Sequence, residues 1–117
     1  MIQLRPHHRI FRARAAVDFR KGIDGLVTIV RDVFSRDPFS GHLFVFHNKR
    51  RTSLKILVYD GYGFWLMIRR LSQGRYRRYV FSSDDALISL AAHELHVLLV
   101  NGDARRLKVP GPWRPLS

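Results

Sequence analysis

Residues 46–66, FHNKRRTSLKILVYDGYGFWL, decide how the chain is read. Two apolar runs, Leu54 to Tyr59 and Phe64 to Ile68, flank Asp60-Gly61-Tyr62-Gly63, and Asp-Gly between apolar runs is a strong hairpin signal. A third run, Leu43 to Phe46, precedes Lys49-Arg50-Arg51. The three cations therefore fall on a second hairpin tip or loop, outside any core. The segment predicts an antiparallel meander and raises the question of what sits opposite that charge.

Side chains alternate across a strand, so Leu54, Ile56 and Val58 share one face while Lys55, Leu57 and Tyr59 share the other. Trp65 and Met67 likewise oppose Phe64, Leu66 and Ile68. Both faces are substantially apolar, which calls for a curled sheet, a second covering element or a partner surface. Gln73 to Phe81 is expected to supply a fourth strand. Arg9 to Val17, RIFRARAAV, is expected to contribute an edge strand.

Helix signals flank the meander. Asp18 is a candidate N-cap, and Phe19, Ile23, Leu26, Val30 and Val33 follow at steps of four, three, four and three, one apolar helix stripe. This predicts a long helix from Phe19 to Phe34, stopped by SRDPFSG. Gly22 and Gly25 each cost about 1 kcal/mol against alanine inside a helix, so close approach of another backbone is expected there. A shorter helix is predicted from Ala91 to Val100, with Leu95, Leu98 and Leu99 inward and Asn101-Gly102 as its stop. The fold class expected is α+β: a curled antiparallel β-meander of four to five strands with one long N-terminal and one shorter C-terminal helix. One domain over residues 1–117 is expected, with 1–8 and 109–117 extended or flexible.

Composition narrows the partner. The 117 residues are 46% hydrophobic with fourteen aromatics, enough for a folded core. Lysine and arginine number 21 against nine acids, a net charge of +12, and such an excess favours a polyanionic partner. Nine of the cations, Lys49, Arg50, Arg51, Lys55, Arg69, Arg70, Arg75, Arg77 and Arg78, lie between Asn48 and Tyr79 with Asp60 as the single acid. Placed at strand ends and loops, with Tyr76 and Tyr79 among them, they suit tracking of phosphates. No base-reading motif accompanies them, so low sequence specificity is expected. No apolar run approaches the roughly 20 residues of a membrane span. No signal-peptide pattern stands at the N-terminus and no cysteine is present, which reads as a cytoplasmic, membrane-free protein.

Catalytic chemistry finds little support. Two-metal phosphoryl or strand transfer needs converging carboxylates, yet Glu94 is the one glutamate, and Asp18, Asp60 and Asp84-Asp85 read as cap, turn and loop residues. His93-Glu94-Leu95-His96 spaces its histidines three apart where zinc proteases need four. No nucleophile elbow or phosphate-binding glycine loop occurs. No cofactor and no metal site are expected.

Three blocks, VDFRKGIDGLVTIV (Val17 to Val30), DPFSGHLFVFHNKRRTSLKILVYDGYGFWL (Asp37 to Leu66) and RRLSQGRY (Arg69 to Tyr76), resemble TnpB of the IS-sixty-six family of bacterial insertion sequences. This is the small accessory protein encoded beside a separate transposase, and not the RNA-guided nuclease that shares the label. The resemblance implies a non-catalytic accessory role in transposition, with the strand-transfer chemistry in the transposase. The family pattern falls on Asp18, Arg20, Lys21, Gly22, Asp24, Gly25, Asp37, Pro38, Ser40, Gly41, Asp60, Gly61, Arg70, Gly74 and Arg75, which are read as fold or interface positions. The expected partners are DNA and the element's transposase, with a homo-oligomer also open. The alternative is a protein-interaction module that docks the transposase without contacting DNA.

Overall fold

A computed structural model of the chain describes residues 8–77 and 85–101. Its elements are β1 (Ile10–Ala13), α1 (Ile23–Thr28) running into a π-helical turn (Ile29–Val33), β2 (Leu43–His47), β3 (Ser53–Tyr59), β4 (Phe64–Arg70), β5 (Leu87–Leu90) and α2 (Ala92–Asn101). The strands form one five-stranded sheet in the order β4-β3-β2-β1-β5.

The meander expected from residues 43–70 is present: β2, β3 and β4 pair antiparallel, with Phe44 opposite Leu57 and Leu57 opposite Leu66. The sheet as a whole is nevertheless mixed, because β1 pairs parallel with β2, Phe11 opposite Phe44. A helix between two strands carries the chain back for a parallel pairing, which a tight turn cannot do. The β1–α1–β2 segment is such a crossover, and the hairpin signals elsewhere hid it. Nor is β1 an edge strand. It lies between β2 and β5, and all four of its residues are buried. β5 pairs antiparallel with β1, Phe11 opposite Ser89.

The long helix from Phe19 to Phe34 is also corrected. Asp18 does not cap it; its carboxylate accepts from the Arg20 backbone N–H at 2.9 Å and from the Arg20 guanidinium at 2.7 Å, which holds its pKa at about 2. The helix starts four residues later, with Gly22 at its N-cap and no side-chain cap. Leu26 and Val30 of the predicted stripe are buried, yet Val33 is exposed. The π-turn accounts for this: the Phe34 N–H donates to Ile29 O at 3.1 Å, five residues back. The wider turn shifts the inward position by one residue, and Phe34 rather than Val33 packs, stacked on Phe46. Gly22 and Gly25 admit no backbone neighbour. A Cβ at Gly22 would meet open space, and the atoms nearest to one at Gly25 belong to the Lys21 side chain.

Both sheet faces are covered. Phe11, Phe44, Phe46 and Leu57 pack with Leu26 and Val30 of α1, while Ile10, Val45, Leu54 and Ile56 pack with Leu95 and Leu98 of α2. The second covering element required by the two apolar faces is thus α2, which begins one residue after its expected start. Glu94 Oε1 accepts from the Ala91 N–H at 2.8 Å, half of a capping box. The fourth strand expected from Gln73 to Phe81 does not form over its described residues, 73–77. The expectations for residues 1–7 and 109–117 lie outside the described residues.

Candidate nucleic-acid interface

The β2–β3 connection is built by Asn48. The Arg51 N–H donates to Asn48 O at 3.0 Å, closing a turn whose exposed corners are Lys49 and Arg50. Asn48 Oδ1 then accepts from the N–H groups of Thr52 (2.8 Å) and Ser53 (3.1 Å), and Nδ2 donates to Thr52 Oγ1 at 2.9 Å. A turn followed by one left-handed residue is a common hairpin solution. Arg51 supplies that residue, with φ 59°.

The end of β4 lies beside this tip. Ser53 pairs with Arg70 and Leu54 with Arg69, and the Leu71 N–H donates to Thr52 O at 2.8 Å. After a turn at Gly74, φ 75°, the chain returns to the tip. The Tyr76 N–H donates to Arg51 O at 2.7 Å and Arg51 Nη1 donates to Tyr76 O at 3.0 Å. Arg69 Nη1 donates to the Tyr76 hydroxyl at 2.9 Å, and Arg12 Nη2 to Arg77 O at 3.1 Å. Three arginines thus fasten residues 76–77 by side-chain bonds in place of a strand ladder.

The geometry sorts the nine cations. Lys49, Arg50, Arg70, Arg75 and Arg77 are exposed around this one end of the sheet. Arg69, also exposed, and half-buried Arg51 belong to the same end and hold Tyr76 in place. Lys55 stands apart. It is buried, and its ammonium donates to Phe19 O and Lys21 O, both at 2.8 Å, while lying 4.8 Å from the Phe19 ring centroid. The apolar-face position of Lys55 in an alternating strand was the available signal for that inward role. Tyr76 is fully buried, so it supports the rim from beneath and offers no ring for stacking. Arg78 and Tyr79 lie outside the described residues.

Acids stand near this end as well: Asp18 follows Val17, whose N–H donates to His47 O at 3.0 Å, and Asp85 precedes β5, whose Leu87 pairs with Ala13 at the same end of β1. Neither the Arg20–Asp18 pair at 2.7 Å nor the Arg31–Asp32 pair at 3.0 Å involves a rim cation. Asp60 occupies the far end of the β3–β4 hairpin, about 20 Å away at strand spacing. There its carboxylate accepts from the Tyr62 and Gly63 N–H groups and from Trp65 Nε1 at 2.7 Å, contacts that lower its pKa. Beneath the rim, His47 is buried beside Arg12 and Arg51. Burial first, then those two charges, hold its pKa down to about 4. Arg12, Asn48 and His47 were not singled out from sequence as parts of this end. Asn48 directly before a cation run was a readable turn signal, whereas the Arg12 contact spans 65 residues and had no local trace.

Several positions of the family pattern make turns. Asp37 Oδ1 accepts from the Phe39 N–H and Ser40 Oγ from the His42 N–H. Gly41 has φ 86°, and a Cβ there would meet His8 Nε2 at 2.9 Å. Among the described residues, no group of three or more His, Cys, Asp or Glu could hold a metal ion, and no helix is long and apolar enough to cross a membrane.

Comparison with known proteins accords with the resemblance in the sequence blocks. Two proteins of Sinorhizobium fredii, the uncharacterized proteins y4jC and y4hO, are 33% and 32% identical to the chain, each over 108 residues that cover 92% of this chain and 90% of theirs. No solved structure matches. The model of the family described as IS66 Orf2 like protein matches residues 8–109, and the chain therefore belongs to this insertion-sequence family.

Proposed function

We propose that the protein is a non-catalytic accessory factor for transposition that holds DNA through its basic rim while a separate transposase carries out strand transfer. The observation that carries this reading is the convergence of Lys49, Arg50, Arg70, Arg75 and Arg77 on one end of the sheet, with no carboxylate partner among the described residues. Side chains that neutralise phosphates release condensed counterions, a sequence-independent source of affinity. Arg51 and Arg69, tied to buried Tyr76, fix the tip and the β4 end relative to each other. The cations thus approach a phosphate backbone on a preformed support.

The fold dictates which variant tests the reading. Arg51→Glu would break the Tyr76 contact and confound affinity with stability. Lys49→Glu/Arg50→Glu changes only exposed residues of the tip. Duplex DNA of unrelated sequences should bind the native chain with similar affinity and the double variant far more weakly. Equal binding by both would place DNA elsewhere. If neither binds at low salt, the rim is left to an acidic protein surface such as one on the transposase.

A further inference from the structure

The order β4-β3-β2-β1-β5 leaves the outer side of β4 without a neighbouring strand among the described residues. β4 has seven residues against four in β5, the other edge, and a long edge with apolar side chains is a template for pairing. Trp65, Met67 and Ile68 are 44%, 38% and 62% exposed along it.

The hydrogen-bond phase of this edge follows from the two ends of the hairpin. The Asp60 N–H donates to Gly63 O and the Leu71 N–H to Thr52 O. Bonded and non-bonded pairs alternate along an antiparallel ladder, so Val58–Trp65, Ile56–Met67 and Leu54–Arg69 are the bonded pairs within the observed register. The N–H and C=O groups of Phe64, Leu66, Ile68 and Arg70 therefore point outward, away from β3.

We propose that β4 pairs antiparallel with β4 of a second copy of the chain, with the two-fold axis at Met67. In this register Phe64 faces Arg70, Trp65 faces Arg69, Leu66 faces Ile68, and Met67 faces its own copy. All four outward-directed residues then form bonded pairs, giving about eight backbone hydrogen bonds. An axis at Leu66 would set Arg70 against Tyr62, outside the strand, and form fewer bonds.

Charge selects a second copy as the occupant. One end of β4 carries Phe64 and Trp65 and adjoins Asp60; the other carries Arg69 and Arg70. Antiparallel self-pairing sets each arginine against an aromatic ring, a cation–π arrangement. Arginines never face each other. Lys49 and Arg50 take no part, so a failure of the tip to bind DNA leaves this inference standing, whereas Arg70 is common to both surfaces.

Sedimentation equilibrium of the full chain tests it. A mass of twice 13.7 kDa is expected, whereas Ile68→Pro, which deletes an outward N–H and spares the bonds to β3, should sediment at the monomer mass with an unchanged circular dichroism spectrum. The chain has no cysteine, which allows a second, register-specific readout. Across a non-bonded pair the Cα atoms lie about 4.5 Å apart, within disulfide range, so Met67→Cys should cross-link on mild oxidation. Ile68→Cys places its thiols on a diagonal of about 7–8 Å and should not. A monomer at all concentrations, a dimer that survives Ile68→Pro, or equal cross-linking from positions 67 and 68 would overturn the proposal.

Discussion

Tyr76 and Arg51 are joined by two hydrogen bonds: the Tyr76 N–H donates to Arg51 O at 2.7 Å, and Arg51 Nη1 donates to Tyr76 O at 3.0 Å. The pair holds a left-handed Arg51 at the hairpin tip and seats the Tyr76 ring in the core. Cations and core therefore meet in one pair of residues. Tyr76→Ala should destabilise the protein by about 4 kcal/mol, as expected for loss of a large buried ring. Tyr76→Phe removes only the hydroxyl contact with Arg69 and should cost about 1 kcal/mol. Urea unfolding of the two variants beside the native chain checks the difference.

Lys55 and Arg50 should separate stability from DNA binding. Lys55→Met removes an ammonium that donates to Phe19 O and Lys21 O, and loss of charge-assisted bonds of this kind costs about 1.5–3 kcal/mol. Its affinity for duplex DNA should stay within twofold of native. Arg50→Ala, at an exposed position, should leave stability within about 0.5 kcal/mol while weakening DNA binding.

Asn48 shapes the tip without carrying charge. Asn48→Ala leaves the Thr52 and Ser53 N–H groups without their side-chain acceptor, and should lower stability by about 1–2 kcal/mol. Loosening of Lys49 and Arg50 should also weaken DNA binding, although no cation has been removed. Unfolding and binding measured on the same preparation check both effects.

His47 gives stability a pH dependence. Its folded pKa of about 4 lies below the ordinary 6.5, so between these values the unfolded chain binds the proton that the fold resists. Stability from this group is full above about pH 6.5 and is lost as pH falls toward 4. His47→Gln should flatten the urea midpoint over that window. An unchanged acid slope would show that another group controls it.

Legibility followed the range of the interactions. The β2–β3–β4 meander was readable because its turns are local: Asp60-Gly61 in one, and Asn48 with the cation run in the other. α2 was readable from Leu95 and Leu98. The parallel pairing of Phe11 with Phe44 was not, because register between strands more than thirty residues apart leaves no periodic trace. The apolar stripe from Phe19 to Val33 contains no sign of the π-turn that exchanges Val33 for Phe34. At the candidate site, the apolar runs and the turns between them placed the rim cations at strand ends and loops. The buried use of Lys55, the inward Tyr76 and the reach of Arg12 to Arg77 depend on packing that arises only once the sheet is assembled.

The most direct measurement of the central claim is the salt dependence of duplex binding for the native chain beside Lys49→Ala/Arg50→Ala. If the five exposed rim cations that are not tied to Tyr76 meet phosphates, the log–log slope should be near −4.5, at about −0.9 per contact. The double variant should bind more weakly, with a slope shallower by about 2. No binding at low salt, or a slope that the double variant leaves unchanged, would contradict the assignment of the rim to DNA.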